Sequence, residues 1–212
     1  MNFDYKVIRS KRKTVSVSVS SDNAITVKCP FGLSDSAVDD FIDSKSEWLY
    51  RVIAENNVKN SINSSILNFS EIYVCGQKVP LIFTDFNRIE SDAVFVKDKA
   101  SIKKAYMKFL SCGLVASAEN VSRELKLKCG NFSVRAYKSR WGCCDKYGNI
   151  TLNYLLTMLP YYLQRYVIVH ELCHTVYFNH SAKFWKLVEK YEPNYKICRK
   201  NLQGYNFLIK LY

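Results

Sequence analysis

All three histidines of this 212-residue chain fall in one short run, V-H-E-L-C-H-T-V-Y-F-N-H-S, at His170, His174 and His180. This clustering constrains the local fold more than any other feature. His170 and His174 are four apart, so on a helix they share one face. Val169, Leu172, Cys173 and Val176 follow the i, i+3, i+4, i+7 spacing of a core-facing stripe. The chain must then turn near Phe178-Asn179, where asparagine tolerates left-handed backbone. Ser181 is placed to cap a second helix, whose apolar face is Phe184, Leu187, Val188 and Tyr191. His180 therefore sits at the mouth of the second helix, next to the first.

The residue types in this run point to metal chemistry. Two imidazoles on one helical face can converge on a single ion at about 2.0–2.1 Å. Glu171 is one position round the helix from His170, where it reaches an activated water rather than the ion, as a general base does. Catalytic zinc takes three protein ligands and keeps a fourth position open. His180 is the candidate third ligand, with Glu189 and Glu192 as rivals from the following helix. Cys173 points with the core stripe and is not assigned as a ligand. Imidazole ligands favour Zn2+. The implied reaction class is metal-assisted hydrolysis.

A formal net charge of +12 admits anionic partners such as nucleic acid, nucleotides or acidic lipid surfaces, or else lysines that are simply solvated. The densest basic run is Lys11-Arg12-Lys13, with Lys6 and Arg9 close by. No glycine-rich phosphate cradle is present, which counts against a nucleotide enzyme of the usual kind. The eight cysteines contain no Cys-x-x-Cys pair. The opening MNFDYKVIRSKRKT has no apolar core segment, so reduced thiols and a cytoplasmic location are expected. No apolar stretch approaches the roughly 18–20 residues that span a bilayer, and no membrane partner is expected.

The rest of the chain reads as α+β. Thr14–Ser20 alternates as a half-buried strand, and Ser21-Asp22-Asn23 turns it into Ala24–Lys28. Val38, Phe41, Ile42, Lys45, Trp48, Leu49, Val52 and Ile53 follow helical spacing. Residues 56–70, rich in Asn and Ser, read as a loop or linker. They suggest an N-terminal strand–helix subdomain over 1–70 and a hydrolase domain over 71–212. A hairpin is expected about Gly76-Gln77, a strand at Val94–Val96 and a helix from Ser101 towards Leu125. Phe132–Tyr137 and Asn149–Asn153 read as strands, with an irregular connection between them. Pro160 opens the histidine-bearing helix.

Several runs together resemble the YgjP-like metallopeptidase family, which is related to the WLM and SprT-like metalloproteases. They are Ser139-Arg140-Trp141-Gly142-x-Cys144, Gly148–Asn153, His170-Glu171-Leu172-x-His174 and Asn179-His180-Ser181-x-x-Phe184-Trp185, with Ile8–Thr14 near the start. This chain has Trp-Gly-Cys-Cys where the family usually shows Trp-Gly-Ser-Cys. The resemblance implies a zincin-like catalytic domain, with an active-site helix beside a small mixed or antiparallel sheet. It implies His170, His174 and His180 as zinc ligands, Glu171 as the catalytic residue, and a peptide or protein substrate. It also implies that an edge strand beside that helix binds substrate backbone, assigned here to Asn149, Ile150, Thr151, Leu152 and Asn153. Arg140 is either a further substrate contact or, with Trp141, an anchor beneath the site. Two other activities stay open: nucleoside triphosphate (UTP-type) pyrophosphatase chemistry, and nucleic-acid-associated proteolysis of the SprT-like kind.

Overall fold

A computed structural model describes residues 3–212, apart from the side chains of Val58, Lys59 and Ile62. The chain divides into two compact units, residues 1–67 and 68–212.

The first unit pairs β1 (Tyr5–Ser10), β2 (Ser16–Val19) and β3 (Ile25–Pro30) in the order β1-β3-β2. β3 is parallel to β1 and antiparallel to β2. The β2–β3 turn has Asn23 at φ 66°, a left-handed position that asparagine accepts. Helices α1 (Asp35–Asp43), α2 (Ser46–Ile62) and α3 (Ser64–Leu67) follow. The helical periodicity of Val38–Ile53 thus spans two helices, broken where Ser44 ends α1. Ile25, Val27 and Cys29 of β3 pack with Val38, Ile42 and Leu49 as the core of this unit.

The loop expected over 56–70 is corrected: α2 runs to Ile62 and α3 occupies 64–67. Asparagine disfavours helix interiors because its amide competes for local backbone groups. Here those amides are engaged elsewhere. Asn56 Nδ2 donates to Ser20 O at 2.9 Å and Asn60 Nδ2 to Ser21 O at 2.8 Å. Asn57 Oδ1 accepts from Asn23 Nδ2 at 2.7 Å. The polar face of α2 clasps the β2–β3 turn.

The second unit opens with β4 (Glu71–Val74), β5 (Gln77–Phe83), β6 (Arg88–Ile89) and β7 (Val94–Val96), ordered β4-β5-β7-β6. β4 and β5 form a hairpin closed by Cys75-Gly76, with φ 49° and 86°. Positive φ at both central residues is the type I′ geometry that suits twisted hairpins. The 27-residue α4 (Lys99–Leu125) starts at Asp98, whose side chain accepts from Ser101 N, and ends at left-handed Lys126.

A second small sheet then forms from β8 (Phe132–Arg135), β9 (Gly142–Cys144) and β10 (Ile150–Asn153), in the order β8-β10-β9. A 3-10 turn over Tyr154–Met158 leads to α5 (Tyr161–Cys173), which Pro160 precedes as N-cap. α6 (Ala182–Tyr191), α7 (Tyr195–Gln203) and α8 (Asn206–Leu211) complete the chain. α5 is buried on nearly all sides, through Leu163, Tyr166–Val169 and Leu172. Among the described residues no helix is long and apolar enough to cross a membrane.

Candidate active site

α5 carries His170 and Glu171 in its last turn and stops at Cys173, so His174 is the C-cap. The N–H groups of Val176 and Tyr177 both bond Cys173 O, curling the chain through one more turn. Val176 therefore lies beyond the helix and is 48% exposed, which corrects its placement in the core stripe. Cys173 is fully buried. After Asn179, Ser181 caps α6, its hydroxyl accepting from Phe184 N at 3.4 Å.

This path gathers all three histidines. One ring nitrogen from each lies within 4.8 Å of the others, the sole group of metal-ligating type among the described residues. The Nε2 atoms of His170 and His180 are 3.1 Å apart. His174 Nδ1 lies 3.0 Å from the carbonyl of Tyr177. Donation of its proton there leaves Nε2 as a lone-pair donor facing the cluster. Burial, then its two histidine neighbours and Arg199, push the pKa of His170 down to about 3. Burial lowers that of His174 too. Neutral imidazoles with converging lone pairs are the donor set that a borderline-soft divalent cation takes. The residues present therefore fit a metal ion. The rival carboxylates lie outside the group: Glu192 is 3.7 Å from Arg165 Nε, and Glu189 is exposed.

Glu171 is 6% exposed, and burial raises its pKa to about 7 against the opposing pull of Arg140. β9 passes directly beside it. A methyl group on Gly142 would stand 2.9 Å from both Cγ and Oε1 of Glu171. Only a residue without a side chain allows that approach. The irregular connection expected over 139–148 thus hides a strand, and periodicity has no purchase on three residues reading Gly-Cys-Cys.

The segment 149–153 is not an edge strand. β10 is the middle strand, parallel to β8 on one side and antiparallel to β9 on the other. Its side chains are committed internally. Asn149 takes Nδ2 and its backbone N–H to the Asp145 carboxylate, each at 2.9 Å. Thr151 meets Ser133 at 3.0 Å, and Ile150 and Leu152 are fully buried. Asn153, also fully buried, donates to Tyr137 O and Arg140 O and accepts from Leu155 N. The edge facing α5 belongs to β9. Asn153 N bonds Trp141 O and Asp145 N bonds Asn149 O, so odd-numbered residues face β10. The backbone groups of Gly142 and Cys144 turn the other way.

Arg140 is exposed, and its carbonyl holds Asn153. Trp141 is an anchor: it is buried, and Nε1 donates to Asn206 Oδ1 at 2.9 Å.

The chain matches the family model described as YgjP-like, metallopeptidase domain, over residues 13–205. Among solved structures it is similar to the metallopeptidase zymogen abylysin of Pyrococcus abyssi. The identity is 26%, over 42% of this chain and 90% of that chain, with a TM-score of 0.39. No curated protein matches.

Proposed function

This chain belongs to the YgjP-like metallopeptidase family, and from that premise we propose that it is a zinc-dependent peptidase of zincin-like arrangement. His170, His174 and His180 would hold the ion, and Glu171 is the general base. The observation that carries this reading is the convergence of three imidazole nitrogens within 4.8 Å, next in the chain to a buried carboxylate.

When bound, the metal supplies Lewis acidity, polarising the scissile carbonyl and making water a nucleophile near neutral pH. The protein's own groups do the rest. Glu171 takes the proton from water and returns it to the departing amine, a role that burial favours by raising its pKa to about 7. Gly142 leaves room for the carboxylate to stand against β9. An extended peptide adds to β9 as a further strand, pairing with the outward backbone groups of Gly142 and Cys144. Main-chain pairing of this kind places few demands on the side chains of the bound peptide.

The test is a parallel screen of the zinc-loaded protein on a peptide library, on UTP, and on DNA at several salt concentrations. Peptide cleavage that vanishes in Glu171→Gln while the zinc content holds supports the proposal. Full activity of Glu171→Gln removes the general-base role. Turnover of UTP without peptide cleavage assigns the site to nucleotides instead. Steeply salt-dependent DNA binding alongside proteolysis marks a nucleic-acid-associated peptidase.

A further inference from the structure

We propose that Trp185 is the positioning residue for His180, holding the third imidazole in register by stacking where the other ligand on the connecting turn is held by a hydrogen bond. The inference rests on the metal-site reading above.

His174 and His180 differ in what orients them. His174 is fixed by the Tyr177 carbonyl at 3.0 Å. His180 lies on an exposed connector, and its one hydrogen-bond contact among the described residues is with His170 Nε2. A ligand set by nothing but its neighbouring ligand is poorly pre-organised, since side-chain freedom must be lost when the ion arrives. The face of an aromatic ring supplies the missing constraint. Trp185 stacks on His180 with centroids 5.6 Å apart and planes 25° from parallel.

The helix geometry explains why this residue can reach. Side chains on an α-helix lean towards its N-terminus, so a residue one turn into α6 covers the segment just before it. Ser181 fixes where α6 begins. Phe184 and Trp185 then fall one turn in and lean back over the histidines. The two consecutive aromatics meet the ligands differently. Phe184, fully buried, stacks on His174 at 4.5 Å and 26° and meets His180 only edge-on, at 4.9 Å and 80°. Trp185 is the ring that lies face to face with His180. The indole is itself braced: buried Tyr195 of α7 stacks on it at 5.3 Å and 20°, and the Arg199 guanidinium lies 5.1 Å from its ring. Each of these contacts links α7 to the exposed ligand through one residue.

The experiment measures zinc affinity by chelator competition in the full chain, for the wild type, Trp185→Leu, Trp185→Phe and His180→Ala, with the thermal midpoint of each metal-free form. Loss of a partner that orients a ligand typically weakens metal binding about 10- to 100-fold. Trp185→Leu is expected to show that loss while its metal-free form stays folded, with a midpoint lowered only by the lost Tyr195 stack, and Trp185→Phe to recover most of the affinity. Wild-type affinity in a stable Trp185→Leu overturns the proposal. Proton NMR of the metal-free wild type gives a check that needs no Trp185 variant to fold. With three histidines in the chain, the His180 ring signals are assigned by their absence in His180→Ala. They should lie upfield of free histidine under the indole ring current, and unshifted signals overturn the proposal. If His180→Ala keeps full zinc affinity, the ligand assignment itself falls. If His180→Ala loses affinity and Trp185→Leu does not, only the positioning role falls.

Discussion

Gly142 and Glu171 are in such close register that a single methyl group would have to share space with the carboxylate, 2.9 Å from Oε1. This is tighter than side-chain packing normally permits, so Gly142→Ala must displace either β9 or Glu171. A misplacement of about 1 Å at a reacting group costs on the order of 100-fold in rate. We expect kcat on a cleaved peptide to fall by about that factor with zinc affinity retained. An undiminished kcat in Gly142→Ala would mean the carboxylate has slack that the structure does not show.

Strand addition on β9 makes a prediction at single amides. Binding of a slowly cleaved peptide should slow hydrogen exchange at Cys144 N–H, which turns away from β10. The amides of Thr151 and Asn153 in the central strand should be unaffected. Protection confined to β10 or β8 would place the peptide elsewhere.

Asn153 is fully buried and saturated with internal hydrogen bonds, so its replacement should act on stability rather than on substrate. Stripping a buried polar group and leaving its partners unpaired costs about 1–3 kcal/mol. Denaturant titration of Asn153→Ala should show a loss of that size, and KM per folded molecule should hold. A raised KM with unchanged stability would restore a substrate role to this residue.

The Asp145 carboxylate accepts from Tyr147 N at 2.8 Å and from both nitrogens of Asn149, closing the turn between β9 and β10. Hydrogen bonding from Asn149 holds its pKa below the ordinary carboxylate value. A depressed folded pKa means the contribution is complete above the unfolded value of about 3.9 and is lost as pH falls through the folded pKa. The Asn149 side-chain NH2 signals should therefore move only in acid, below pH of about 4. In Asp145→Ala they should sit at their acid position throughout. Movement near neutral pH would tie the turn to some other group.

Much of the site was legible because its signals are local. The spacing of His170, His174 and His180, the Ser181 cap and the Phe184/Val188 face each depend on residues within two helical turns. The Cys75-Gly76 hairpin was legible, to within one residue, for the same reason. What escaped depends on distant partners. The family resemblance alone makes 149–153 an edge strand, and nothing in Ile150–Asn153 records that β8 lies along its other side. The Asn-rich end of α2 looks like a linker until Ser20 and Ser21 are brought to it. Gly142 gave no sign that Glu171 would fold against it, and Arg140-Trp141 could not be resolved into a holding carbonyl and a buried anchor without Asn153 and Asn206.

The Cys75-Gly76 turn reaches further than its hairpin. Its two amides bond Thr157 O and Met158 O at 2.9 Å, and a side chain at Gly76 would lie 2.5 Å from Pro160 Cγ. Pro160 begins the helix that bears His170 and Glu171. Positions 76 and 160 thus act as one joint: any side chain at 76 would push on Pro160 and so on the start of the helix that carries the histidines, making a hairpin tip some ninety residues earlier in the chain a fixed stop for that helix.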